Sequence, residues 1–332
     1  MAIAEIRTNT AYFLARNIGE KLIRPVLLEH IPDATLESAD ATDRVKGDYQ
    51  ISASGFYSVY LTSSDVEDQI KAANGVVREL INLGRFRQAR PFLEKIIPNL
   101  IPELPSQRQV IYFEGERNNR LGWIADYEGG YLDSKKRFGK VRELVGGIPE
   151  EDRTDEERHL WLTSVHFLGR AHFGLALQGI ALTENASKAV EYFHDGLELN
   201  QKAQERGENT AAIEGFNHAW LSRCYHLLEF RDSAYRELEQ AGELFRIWLQ
   251  TYPNRGIMSH YYILRGFLRV EDGNLDDAQG DFEEAISIRT NNTRKDFEAY
   301  PKGLSDAYLG MAELARRHWD LLQAAQYGYK AF

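Results

Sequence analysis

The feature that most restricts the fold of this chain is a short pattern that recurs along it. Its clearest copy is YYILRGFLRVEDGNLDDAQGDFEEAISI, in which Gly266 lies within one helical stretch and Gly273 marks a turn. Ala278, Phe282 and Ala285 follow at spacings of four and three residues, so they share one face of a second helix. A small residue in the first helix lets the second helix approach closely. The pattern therefore predicts an antiparallel helix pair.

Further copies of the pattern lie on both sides of this one. They contain Gly84, Phe86, Ala89 and Leu93; Leu121, Gly122, Gly129 and Phe138; Leu168, Gly169, Ala189 and Phe193; Leu221, Ser222, Ala234 and Leu238; and Leu309 with Gly310. Corresponding positions are 44 to 47 residues apart. The third unit is longer than the others. Its length predicts an insertion near 179–184, which is interpreted as a loop between its two helices.

This pattern resembles the tetratricopeptide repeat, whose standard unit has about 34 residues. The longer units here resemble those of kinesin light chains and the helical sensor modules of STAND signalling ATPases. The resemblance covers residues 65–332. It implies an all-α, right-handed superhelical solenoid of about six helix pairs. Such a fold is typical of many different binding proteins and does not by itself specify a function.

Residues 1–64 do not fit the repeat and are interpreted as a helical cap or as the remnant of a preceding domain. LARNIGEKLIRPVLLEHI has apolar residues at helical spacing and predicts a helix that Pro25 breaks and Pro32 ends. The polar stretch 33–50 predicts a loop. Residues 51–61 predict the start of a helix that packs on the first repeat.

Composition narrows the choice of partner and compartment. Of 332 residues, 43% are apolar and the formal net charge is -10, which disfavours a nucleic acid as the main partner. Cys224 is the single cysteine, so an internal disulfide or a multi-cysteine zinc site is excluded. The sequence has no apolar run of about 18 residues and no recognisable secretory signal. We therefore expect a cytoplasmic protein that does not span a membrane.

No nucleotide-binding, zinc-protease or hydrolase motif occurs, so we expect neither an enzyme nor a cofactor. The stretch from Asp272 to Glu283 imitates a calcium-binding loop, but Asp277 stands where such loops require glycine. Because Ala278 and Phe282 are needed in the repeat core, a repeat turn is the favoured interpretation. A bound metal is not expected.

Two other groups of residues favour structural interpretations. His159, His166 and His172 are separated by seven and then six residues, whereas a helical metal site needs a spacing of three or four. The basic run 134–142 is expected to face solvent on the second helix of its pair, with a docking patch as the alternative.

The resemblance implies that first-helix residues line the concave surface of the array. Carried onto this sequence, the candidate groove residues are Asn74, Arg78, Asn119, Trp123, Tyr127, His166, Arg170, Arg223 and His226. Asparagine can both donate to and accept from a peptide backbone, and arginine binds carboxylates with two parallel hydrogen bonds. The groove therefore predicts a protein or peptide partner, and its arginines favour an acidic one. The alternative is that these are ordinary helix-packing residues.

Tetratricopeptide domains that bind the acidic tails of heat-shock chaperones use a Lys and an Asn one turn apart, followed by Asn and then Lys and Arg. Here Lys71 and Asn74 are three residues apart and the later lysine is missing, which disfavours that partner. The leading hypothesis is a binding scaffold, as the sensor or interaction module of a larger bacterial signalling or defence system. A stand-alone peptide receptor of the quorum-sensing type is the alternative, an enzyme is disfavoured, and a homo-oligomer is possible.

Overall fold

A computed structural model describes residues 28–41, 49–207, 210–251, 256–290 and 301–330. Throughout these ranges the regular elements are helices, and none is a strand. The described residues form two compact units. We call residues 28–168 the N-terminal unit and residues 169–330 the C-terminal unit.

The α-helices follow one another with short connections. They are α1 (Leu36–Ala41), α2 (Tyr49–Thr62), α3 (Val66–Asn82), α4 (Phe86–Pro91), α5 (Ile97–Leu100), α6 (Gln107–Tyr127), α7 (Tyr131–Gly146), α8 (Asp155–Leu177), α9 (Leu182–Glu205), α10 (Ala211–Leu227), α11 (Arg231–Thr251), α12 (Gly256–Glu271), α13 (Leu275–Thr290), α14 (Pro301–Arg317) and α15 (Leu321–Lys330). A π-helical turn, Phe92–Ile96, joins α4 to α5. It follows Pro91, which has no N–H to donate to the helical ladder.

From α3 onward the helices pack as consecutive antiparallel pairs, with α4 and α5 together forming the second member of the first pair. Within the described residues this gives six pairs, which confirms the predicted all-α repeat architecture. None of the helices in these ranges combines the length and apolar character needed to cross a membrane.

Close contacts between glycines and aromatic rings hold the pairs together, as the repeat pattern predicts. A Cβ atom placed on Gly122 would lie 2.7 Å from the ring of Phe138, and one on Gly266 would lie 2.8 Å from the ring of Phe282. Both rings are completely buried. The small residue of the first helix therefore makes room for the large residue of the second.

The turn within each pair has the same hydrogen-bonding geometry. At the turn between α12 and α13, Gly273 has φ of 81° and its N–H donates to Val270, while the N–H of Asn274 donates to Arg269. This is the Schellman arrangement, in which a left-handed residue ends a helix and satisfies its last carbonyl groups. The same two bonds occur at the other five turns, whose left-handed residues are Gly84, Gly129, Gly179, Glu229 and Trp319.

The region before the repeats differs from the sequence prediction in one place. The stretch 33–50 was predicted to be a loop, which is wrong, because it contains α1 and the first residues of α2. Thr35 and Ser38 bond reciprocally at the start of α1, and Ala39 packs against Gly55 of α2. A helix of six residues is too short to show an apolar periodicity in the sequence.

The other predictions for this region have different outcomes. Residues 51–61 do belong to a helix that packs on the first repeat, with Phe56 against Gly75. The helix predicted from LARNIGEKLIRPVLLEHI lies mostly outside the described residues. The interpretation of residues 1–64 as a cap or a remnant stays a prediction.

The long third unit also needs a correction. No inserted loop is present at 179–184, because only residues 178–181 separate α8 from α9. The additional residues extend the helices themselves, which have 23 and 24 residues. Sequence spacing measures the length of a repeat but does not distinguish longer helices from longer loops.

Candidate functional site

The predicted groove residues of the first repeat lie on α3 and are largely engaged in packing. The Arg78 guanidinium lies 3.0 Å from the carboxylate of Asp40 and 2.7 Å from that of Glu79, and it stacks over the ring of Phe56. Arg78 therefore ties α1, α2 and α3 together. Asn74 is 9% exposed, and its Oδ1 has no hydrogen-bond donor among the described residues.

The second repeat places its predicted residues on α6. Asn119 is 4% exposed, and its Oδ1 also lacks a donor within the described part of the chain. The ring of Trp123 packs 5.2 Å from that of Phe167, and the ring of Tyr127 stacks 5.8 Å from that of Phe86. Asn119 and Trp123 are one helical turn apart, and the indole N–H of Trp123 is buried with no acceptor in those ranges.

The last predicted residue of the N-terminal unit is His166 on α8. It is 9% exposed and lies edge-on to the ring of Phe167, with 5.2 Å between the ring centroids. Most of the predicted residues in this unit thus contribute substantially to packing. Asn74 and Asn119 keep unsatisfied acceptors, which is unusual for buried amide groups and is a feature of many ligand-binding surfaces.

The C-terminal unit brings two of its three predicted residues together around a third side chain. The guanidinium carbons of Arg170 and Arg223 each lie 4.9 Å from the centre of the Trp220 ring. Arg223 also lies 4.8 Å from the centre of the Phe173 ring. We call Arg170, Phe173, Trp220 and Arg223 the arginine–tryptophan cluster. Because both guanidinium carbons lie 4.9 Å from the centre of the same ring, these two carbons are no more than twice that distance apart.

Neighbouring helices fix the position of the cluster. Trp220 stacks on Phe193 of α9 with an interplanar angle of 14°, and Phe193 fills the space beside Gly169 on α8. Phe193 is completely buried, whereas Arg170, Trp220 and Arg223 are half-buried. The cluster therefore stands on a rigid aromatic base and reaches the surface at its arginines.

Trp220 was not among the predicted site residues, although it organises them. It is three residues before Arg223 on α10, so both lie on the same side of the helix. The spacing of Trp220 and Arg223 was visible in the sequence. The contact between Trp220 and Arg170 of α8 was not, because it joins helices of two different pairs. His226, the third predicted residue of this unit, is also on α10, one turn beyond Arg223, and is half-buried.

A polar cleft of about 560 Å³ lies between α9 and α10, and none of the predicted residues lines it. Its lining comprises His194, Leu197, Glu198, Gln201, Gln204, Glu214 and His218. Gln204 donates to Glu214 across the cleft, and Nδ1 of His218 lies 2.7 Å from a carboxylate oxygen of Glu237. These bonds join α9, α10 and α11, so the walls of the cleft are held by their own polar contacts.

The other candidate sites adopt the structural roles that were favoured. In the calcium-like stretch, Ala278 and Phe282 are completely buried in the repeat core, and Asp272 accepts a hydrogen bond from the hydroxyl of Tyr235. Nδ1 of His172 lies 2.7 Å from Oδ1 of Asn185. Across the described ranges, His, Cys, Asp and Glu side chains form no group of three or more placed to hold a metal.

The surroundings of the basic run 134–142 and of Cys224 are not typical of a functional site. Lys135 and Lys136 are exposed on α7, and Arg137 lies 3.4 Å from Asp133 one turn earlier. Cys224 is completely buried, and its burial raises the pKa of the thiol far above its usual range. A thiol that stays protonated is a poor nucleophile and a poor metal ligand.

Comparison with known proteins gives no family for this chain. No protein-family model matches the sequence, and no curated protein matches it. Among solved structures, the chain is similar to the crystal structure of BtubC (BKLC) from P. vanneervenii. The two share 16% sequence identity with a TM-score of 0.45, and the match covers 81% of this chain and 90% of BtubC.

Proposed function

We propose that this chain is a binding scaffold for a protein or peptide, and that the arginine–tryptophan cluster recognises an acidic segment of that partner. The observation that supports this proposal is the convergence of Arg170 of α8 and Arg223 of α10 on the ring of Trp220, where the arginines reach the surface. The chain as a whole carries a net charge of -10, so a local pair of arginines is selective for acidic groups.

The geometry of stacking explains why these arginines suit a carboxylate. A guanidinium that lies over an aromatic ring uses its face for that contact, while its N–H groups point outward in its own plane. Because the ring restricts the rotation of the side chain, less conformational entropy is lost when a carboxylate accepts two parallel hydrogen bonds. Two such groups held within a short distance can bind two neighbouring acidic residues.

The test measures binding of a fluorescein-labelled oligoglutamate peptide by fluorescence anisotropy. Replacing both Arg170 and Arg223 with alanine is expected to weaken binding by tenfold or more, since losing one desolvated arginine–carboxylate contact costs about 2–5 kcal/mol. The matched lysine double variant keeps the charge but loses the stacked, two-bond geometry. It is expected to bind more weakly than the wild type.

The N-terminal unit supplies a control with the same chemistry in a different place. Arg142 and Arg153 lie 4.7 Å and 4.5 Å from the centre of the Trp161 ring, and Arg153 also donates to the carbonyl of Ile148. Because that carbonyl group already uses one N–H of Arg153, replacing these two arginines with alanine is expected to lower peptide affinity much less than replacing Arg170 and Arg223. Equal losses in both double variants, or no loss at Arg170 and Arg223, would refute a specific acidic site.

We further propose that the scaffold is the sensor or interaction module of a larger bacterial signalling or defence system. The alternative is a stand-alone peptide receptor of the quorum-sensing type. The genomic neighbourhood discriminates between them: a fused or adjacent ATPase or protease gene favours the sensor, and a short secreted-peptide gene favours the receptor. A non-enzymatic, cytoplasmic protein remains our proposal for either case, supported by the absence of catalytic motifs from the sequence and the buried thiol.

A further inference from the structure

The polar cleft between α9 and α10 has a lining that the proposed peptide site does not use. Its walls carry two glutamates, two glutamines, two histidines and a single apolar residue, Leu197. Among the described residues, no lysine or arginine lines it. Its volume of about 560 Å³ lies within the range of about 300–1,000 Å³ that is typical of small-molecule sites. The cleft is therefore large enough for an organic ligand, and its lining is negatively charged.

The hydrogen bonds of the lining residues leave acceptors for a ligand. Nδ1 of His218 lies 2.7 Å from a carboxylate oxygen of Glu237. Because a carboxylate only accepts, this nitrogen carries the proton, and Nε2 of the neutral ring is left as an acceptor. The carboxylate of Glu214 accepts from the amide of Gln204, and that of Glu198 forms no ion pair within the described part of the chain. A ligand that matches this lining is rich in donors.

A completely buried amide lies on the same face of α9. A Cβ atom on Gly196 would lie 2.8 Å from the side-chain amide of Asn217, so this face packs directly on α10. Asn200 is one turn after Gly196 and three residues after Leu197, which places it on that face at the base of the cleft. Neither Oδ1 nor Nδ2 of Asn200 has a hydrogen-bond partner among the described residues. Such an amide is rare in a folded protein, and a ligand that enters from the cleft would supply its partners.

The arrangement of the acceptors favours an organic cation over a metal ion. Metal ligands must lie within about 2.0–2.6 Å of the ion, whereas the carboxylates here are spread over two helices around a large open volume. Glu198 belongs to α9 and Glu214 to α10. A primary ammonium group has three donors and no acceptor, and a chain that carries several such groups can reach both helices.

We propose that this cleft binds a small organic polycation of the polyamine class. One ammonium group of the ligand donates to the carboxylate of Glu198. Another replaces the Gln204 amide as the donor to Glu214, because a charged donor forms a stronger hydrogen bond with a carboxylate. Gln204, one turn after Asn200, then moves aside and leaves the Asn200 amide accessible to the ligand.

This site is independent of the proposed acidic-peptide site. His218 and Trp220 are two residues apart and therefore face nearly opposite sides of α10. The two sites also select opposite charges, since arginines repel a polycation and glutamates attract it. Replacing Arg170 and Arg223 with alanine is therefore expected to leave polycation binding intact, which separates the failure of one proposal from the failure of the other.

The first test measures spermidine binding by isothermal titration calorimetry at fixed ionic strength. Replacing both Glu198 and Glu214 with glutamine is expected to raise the dissociation constant about tenfold or more, because two charge-assisted contacts are lost. The matched control replaces Glu283 and Glu284, which are exposed on α13, with glutamine and removes the same charge. Equal losses in the two double variants would show non-specific attraction to an acidic chain and would overturn the proposal.

The second test examines the buried amide. Asn200→Leu keeps a similar volume and removes unsatisfied polar atoms, so the thermal midpoint without ligand is expected to stay the same or rise. Spermidine affinity is expected to fall about threefold or more, which a purely structural role would not produce. A tetra-arginine peptide tests whether a basic protein segment is the better ligand. Undetectable spermidine binding, tighter binding of the peptide than of spermidine, or unchanged spermidine affinity in Asn200→Leu would overturn the proposal.

Discussion

The contact between Gly266 and Phe282 is the strongest test of how this fold is packed. A Cβ atom on Gly266 would lie 2.8, 2.9 and 3.1 Å from three atoms of the Phe282 ring. The ring has no room to retreat, because a Cβ atom on Gly310 of α14 would lie only 2.2 Å from the same ring edge. The edge of Phe282 is therefore held between two glycines on different helices.

Gly266→Ala is expected to destabilise the chain by about 2 kcal/mol. Overpacking a well-filled core costs about 1–3 kcal/mol, and the confined ring places this site near the upper end. The higher helix propensity of alanine offsets about 1 kcal/mol of that cost. Gly266→Leu adds further side-chain atoms in the same space and is expected to cost more than the alanine variant.

The chain provides a matched control for helix propensity. Gly280 lies within α13, where a Cβ atom would meet nothing within 4 Å. Gly280→Ala is therefore expected to stabilise the chain by about 0.5–1 kcal/mol, opposite in sign to Gly266→Ala. Chemical denaturation followed by far-UV circular dichroism measures both changes, and the midpoint should move without a change in slope.

A double-mutant cycle isolates the contact itself. In a Phe282→Leu background the ring edge is absent, so adding Gly266→Ala is expected to cost little. The reasoning is refuted if Gly266→Ala stabilises the chain as much as Gly280→Ala does. It is equally refuted if the cost of Gly266→Ala is unchanged when Phe282 is leucine.

Three further predictions concern other features of the C-terminal unit. Asp281, 3% exposed, accepts from Arg265 at 2.7 Å and from Arg269 at 2.8 Å, so Asp281→Ala is expected to lower the free energy of unfolding by about 3 kcal/mol in a denaturant titration. Gly273→Ala forces a left-handed alanine at φ of 81° and is expected to lower the thermal midpoint, corresponding to about 1 kcal/mol. Cys224 is expected to react with a thiol reagent only after unfolding, because it is buried and its pKa is raised; rapid reaction in the native state would contradict this.

The repeat architecture was predictable because its determinants are local in sequence. Gly122 and Phe138, like Gly266 and Phe282, are 16 residues apart and meet through one turn of fixed geometry. The short helix α1 was not predictable, because its six residues lie outside the repeat pattern and are too few to show an apolar periodicity. The lengths of α8 and α9 in the third unit were also not predictable, because a repeat period does not show whether the additional residues lie in helices or in loops.

The candidate site was predictable only in part, because a residue's repeat position does not specify its partners. The asparagines at 74 and 119 and the three arginines at 78, 170 and 223 all follow from the repeat. Whether an arginine is bound by carboxylates depends on residues far along the chain, such as Asp40, which lies 38 residues before Arg78. That carboxylate belongs to α1, the element the sequence analysis missed.

This difference explains why equivalent arginines have different roles in the proposed function. Arg78 lies between two carboxylates, so much of its charge is compensated inside the protein. Arg170 and Arg223 stack on Trp220, and stacking restricts the rotation of a guanidinium. Replacing Arg78 should therefore reduce stability, because Glu79 beside it is completely buried. Replacing the two arginines of the cluster should reduce affinity. Since all three arginines occupy the same position of the repeat, comparing these variants distinguishes an effect on folding from an effect on binding.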